Sequence, residues 1–160
     1  MASYPLLFGY HDLVAGNGFV AAVAVDGRAL LVDEEGGAWV YGVNPGGVAA
    51  GGADHGAATA AFRTTYRSVL HDIAFDAHSF AEFQQRVHDF CLETNQPTLE
   101  DWEAALAAVR RGEVTADWLV RRPADAPCRV EVVEVASPQP SENKLDEGEA
   151  LAEPPLVNAA

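Results

Sequence analysis

Three things are scarce in this chain of 160 residues: lysine, cysteine and long apolar runs. Lys144 is the single lysine, so nine arginines carry almost all the positive charge. With 24 acidic residues against 10 basic ones, the formal net charge is −14. A field of that sign repels phosphates and anionic headgroups, which sets nucleic acid and membrane surfaces aside as default partners. The two cysteines, Cys91 and Cys128, are too few for a disulfide framework, and their spacing matches no metal site. No apolar run approaches the ~20 residues that span a bilayer, and the amino terminus lacks the basic flank and apolar core of a signal peptide. A cytoplasmic protein with reduced thiols is the expectation.

What is present is a succession of short apolar runs separated by turn residues, followed by amphipathic helices. Asp26-Gly27 stands between Phe19–Val25 and Arg28–Val32, and Asp-Gly between apolar runs predicts a hairpin. Glu34-Glu35-Gly36-Gly37 separates that pair from a third strand, Ala38–Val43. Upstream, Leu6–Val14 pairs with Phe19–Val25 across Asn17-Gly18, and Val48–Ala50 adds a brief edge strand after the Pro45-Gly46-Gly47 bend. Asp54 is a suitable N-cap for a long helix whose stripe is Ala58, Phe62, Tyr66, Val69, Leu70 and Ile73, all expected inward, with Arg63 and Arg67 outward. Ser79 and Glu82 form a capping box for a second helix carrying Phe80, Phe83, Val87, Phe90 and Cys91, with Cys91 a core residue. A third helix opens at Thr98, buries Trp102, Ala105, Leu106 and Val109, and ends at Gly112; Thr115–Val120 adds a further helical turn. Arg129–Val135 alternates as a final strand. The fold class is therefore α+β: an antiparallel sheet of three to five strands, a long helix on one face and a helical C-terminal extension. Residues 1–136 make one domain, with the extension over 79–122, and 137–160 form a disordered acidic tail.

The run Gly37-Ala38-Trp39-Val40, then Pro45-Gly46-Gly47-Val48-Ala49-Ala50-Gly51, then Ala57 in the first helical turn resembles the HicB-like antitoxin family. The resemblance covers residues 18–75. It implies a partial ribonuclease-H-like fold without that fold's catalytic carboxylates, and a binding role. The sequence departs from the family at Gly52-Ala53 and His55-Gly56, where an Asp-Thr and paired glutamates are usual. It also has a second helix where a short return strand is expected, and residues 98–135 match no ribbon-helix-helix or helix-turn-helix reader.

Three His-Asp dipeptides, His11-Asp12, His71-Asp72 and His88-Asp89, carry the residue types of a divalent-metal hydrolase, since imidazole and carboxylate together hold such ions. Adjacent residues on a helix diverge by about 100°, so His71-Asp72 and His88-Asp89 read as solvated surface. Arg63, Arg67 and His71 recur every four residues and form a positive ridge that suits an acidic segment or a phosphate. Arg110, Arg111, Arg121, Arg122 and Arg129 concentrate charge with only Trp118 interleaved, too few aromatics for a nucleic-acid platform. The glycines before the long helix lack the Lys-Ser/Thr of a phosphate loop, and no serine sits in a nucleophile elbow. No cofactor is called for. The reading is a non-catalytic interaction protein, a homodimer through a sheet edge, that neutralises a basic RNA-binding or ribonuclease partner. Its binding residues are Gly46, Gly47, Val48, Gly51, Arg63, Arg67 and His71. The alternative is a small-molecule-binding protein or a metal-dependent hydrolase built on the His/Asp pairs.

Overall fold

The computed structural model describes residues 2–119 and 128–135. The strands are β1 (Ser3–Ala15), β2 (Val20–Glu34), β3 (Gly37–Asn44), β4 (Ala49–Gly52) and β5 (Arg129–Glu134); the helices are α1 (His55–Asp76), α2 (Phe80–Leu92) and α3 (Gln96–Arg110). All pairings are antiparallel, which gives the α+β architecture. Two hairpins form where Gly and Asn-Gly lie between strands: Gly18 and Gly36 have φ of 84° and 80°, values that glycine reaches without a Cβ clash.

Asp26-Gly27 does not turn. β2 runs straight through it, with β1 along one side from Val20 to Val32. The other side is shared: β5 pairs with Ala21–Asp26 and β3 with Arg28–Glu34, with a register shift between Arg28 and Ala29. Asp26-Gly27 is therefore the point at which β2 exchanges one partner for the other. Gly27 is glycine because a Cβ there would run into the Asn44 carbonyl and the Phe8 ring. The same residue that permits a turn permits close backbone approach.

Alternation assigns the two faces of the sheet. Tyr4, Leu6, Phe8, Tyr10 and Val14 pair with Leu31, Ala29, Gly27, Val25 and Ala21, and this face is covered by α1 and α2. Leu70, Tyr66 and Phe62 of α1 are buried there, as are Phe83, Val87 and Cys91 of α2. Val69 and Ile73 are only half-buried, Ile73 still packing against the edge of that core, because the fully buried stripe is Ala58, Phe62, Tyr66, Leu70 and Ala74. Arg63 and Arg67 are exposed, as the spacing predicts. The opposite face carries a smaller core of Leu30, Val43, Trp102 and Ala105, with α3 lying on it. The helices are thus divided between both faces.

Asp54 Oδ1 accepts from the Ala57 N–H at 2.8 Å, and Ser79 Oγ from the Glu82 N–H at 3.1 Å. Glu82 reaches back to the His78 N–H, one residue before the position a capping box uses. The third helix starts earlier than Thr98: Asn95 Oδ1 accepts from the Thr98 N–H, with Pro97 in the first turn. Proline is well placed there because the first turn leaves its N–H groups unpaired in any case. Residues 115–119 form turns instead of helix. The expected helical residues 120–122 and the tail from 137 lie outside the described residues. Among the described residues, no helix is long and apolar enough to cross a membrane.

Candidate functional site

The ridge on α1 meets the sheet at one carboxylate. Asp12 of β1 lies 3.3 Å from Arg67 Nε and 3.7 Å from His71 Nε2. Tyr10 Oη donates to Asp12 Oδ2 at 2.9 Å, and the Leu13 N–H donates to Oδ1 at 2.8 Å. Burial alone would raise this carboxyl; the hydrogen bonds from Tyr10 and Leu13, together with Arg67, outweigh it and hold Asp12 below the usual range. Burial and the Asp12 carboxylate push the Tyr10 phenol up to about 12. Two of the three ridge residues are thereby engaged within the chain. Arg63 makes no ion pair among the described residues and stands with Thr59 at a void of about 60 Å³ between α1 and β1.

The glycine approach is used mainly inside the fold. Gly46 donates to the Glu93 carbonyl, and a Cβ there would press on Asn95. Val48 is buried, and its carbonyl accepts from Gly42. Gly51 lies under the Trp39 indole, which leaves Gly47 as the exposed member. The buried polar centre beside them is Asn44, whose Oδ1 accepts from Arg28 Nε at 2.8 Å while its Nδ2 donates to Thr94 Oγ1. That pair ties the end of β3 to the α2–α3 link.

The His-Asp pairs do not converge. His11 and Asp12 point to opposite faces of β1, and Asp89 accepts from Gln85 Nε2. Among the described residues, no group of three or more His, Cys, Asp and Glu side chains is placed to hold a metal ion. The Cys91 thiol is buried against Tyr66 Oη at 2.9 Å, and burial pushes it up to about 11, so it is a weak nucleophile at neutral pH.

A different imidazole–carboxylate pair does form. His55 Nε2 lies 2.6 Å from Asp33 Oδ1, Tyr4 Oη donates to Asp33 Oδ2 at 3.4 Å, and the Tyr4, His55 and Trp118 rings pack edge to face or tilted. Such a pair orients an imidazole, yet the nearby hydroxyl of Thr59 donates to the His55 and Gly56 carbonyls. The sequence pattern starts the first strand at Leu6 and ends the next at Val32, which leaves Tyr4 and Asp33 outside the sheet and hides this cluster. The alternation of Tyr4 with Leu6, Phe8 and Tyr10 was the signal available.

The remaining feature is a part of the sheet over which no helix lies among the described residues. α3 spans only the part of its face near Leu7, Leu30 and Val43. Beyond it, Leu13, Ala22 and Val133 lie in one cross-strand row and His11, Ala24 and Glu131 in the next. Leu13 is 64% exposed and Val133 59%, with Val20 and Val135 exposed beside them. No family model matches this chain, and neither a curated protein nor a solved structure matches it significantly.

Proposed function

We propose that this chain is a non-catalytic, cytoplasmic interaction module of the kind HicB-type antitoxins represent, which self-associates through its sheet and binds a basic protein partner. The observation that carries this reading is the apolar part of the sheet formed by Leu13, Val20, Ala22, Val133 and Val135. Among the described residues no helix lies over it, and contiguous exposed apolar surface of this kind marks association sites. It adjoins the free side of β1, a 13-residue strand whose one strand partner among the described residues is β2. Open edges recruit further strands, with backbone hydrogen bonds for affinity and side chains for register. The net charge of −14 favours a basic partner for the rest of the surface. The resemblance over residues 18–75 supports the same class.

Light scattering of the purified chain tests self-association: a dimer is expected, and Leu13→Glu should convert it to monomer without loss of helix content. A wild-type monomer at high concentration would remove the self-association half of the reading.

A further inference from the structure

On the face that α3 covers, the helix does not close against the β2–β3 hairpin. A groove of about 700 Å³ runs between them, with Val32 and Tyr41 as its floor and Asp101, Ala104 and Ala108 as its helical wall. That volume lies in the range of ligand sites. It exists because α3 presents alanines here, side chains too short to reach the sheet. Tyr41 does not stand alone. Trp39, two residues back and on the same face, stacks on it with ring centroids 5.9 Å apart and planes 19° apart, and remains 40% exposed. Glu34 accepts from Tyr41 Oη at 2.8 Å, and Asp101 is exposed on the opposite wall. Among the described residues, no arginine, lysine or histidine lines the groove.

Tyr41 in the groove with Trp39 stacked beside it, one carboxylate (Asp101) on the helical wall and a second (Glu34) bonded to Tyr41, with no basic side chain lining the groove among the described residues, is complementary to a flat cation. A guanidinium stacks on Trp and Tyr rings and pairs in bidentate fashion with a carboxylate, whereas an ammonium is a strongly hydrated point charge. We propose that this groove is the docking site for an arginine side chain carried on a basic peptide segment of the partner, with Trp39 and Tyr41 as the stacking wall and Asp101 and Glu34 as the counter-charges. The proposal rests on the basic-partner reading and gives that partner a point of attachment. The protein's overall negative field would draw such a segment in, and the groove would select arginine.

Anisotropy titration of the full chain with a fluorescein-labelled Gly-Arg-Gly-Arg-Gly peptide, and with its lysine counterpart, tests this at ~0.1 M salt. The arginine peptide is expected to bind at least about fivefold more tightly than the lysine one. Trp39→Leu and Asp101→Asn should each weaken it about tenfold. Glu103→Gln, the same charge change on an exposed α3 position outside the groove, should leave binding unaltered. If Glu103→Gln weakens binding as much as Asp101→Asn, or lysine binds as well as arginine, the attraction is diffuse. The groove assignment then fails while the basic-partner reading stands. Absence of binding by either peptide removes both. Binding that emerges only in the Arg121→Gln/Arg122→Gln double variant would identify this chain's own arginines as the occupant and overturn the assignment to a separate partner.

Discussion

Asp12 collects more interactions than any other carboxylate described above, and its environment makes a pH prediction. Its folded-state acidity is shifted downward, so the stabilisation it provides is complete above its unfolded value near 3.9 and is lost as pH falls through the folded value. Asp12→Asn should cost about 1–2 kcal/mol at pH 7, mostly through the Tyr10 and Leu13 hydrogen bonds, because the exposed Arg67 pair contributes little. Urea denaturation at pH 7 and pH 3 should show the gap between wild type and variant narrowing at the lower pH. Gly27 supplies a second case. Gly27→Ala places a methyl group against the Asn44 carbonyl and the Phe8 ring, and should destabilise by about 1–3 kcal/mol. The denaturation midpoint of the variant in urea checks this.

At the scale of elements, patterning made the helices legible and misread one strand. The α1 stripe at Ala58, Phe62, Tyr66 and Leu70 is visible because a 3.6-residue period repeats over 22 residues, long enough to outweigh accidents. Asn17-Gly18 and Asp26-Gly27 look alike as dipeptides, and only the first is a turn. What separates them is a long-range fact, namely that β3 and β5 approach β2 from the same side and meet there. Local sequence carries no record of that meeting. Asn95-Gln96-Pro97 reads as the stop of α2, which hides the start of α3: α2 already ends at Leu92, and Asn95 is the cap of a helix that begins at Gln96. Asn95→Ala should cost about 1 kcal/mol, from the lost Thr98 N–H bond, and thermal melts of the variant should register it as a drop of a few degrees. The ridge residues Arg63, Arg67 and His71 were legible by spacing, whereas their partner Asp12 lay 55 residues from Arg67 and could be found only through the β1 register. The groove was invisible for a related reason: alanines on α3 signal a helix, and the space they leave depends on what lies opposite.

At the scale of the whole molecule, β2 is the strand on which everything else depends, and the order in which its partners leave the ribosome gives the fold a schedule. β1 and β3 flank it in sequence, so that part of the sheet can assemble with α1 while α2 and α3 are still being made. Its first half has to wait, because Ala21–Asp26 pairs on that side only with Arg129–Glu134. At ordinary rates of synthesis the interval is on the order of 10 s, during which an alternating valine-rich edge stands open. A chain cut after residue 119 is frozen at that stage: its α2 loses the contacts it makes with β5, including the Gln84 Nε2 bond to the Val132 carbonyl at 2.9 Å. Such a fragment should aggregate at concentrations where the full chain scatters no excess light. β5 is thus the piece that turns an adhesive intermediate into a finished sheet.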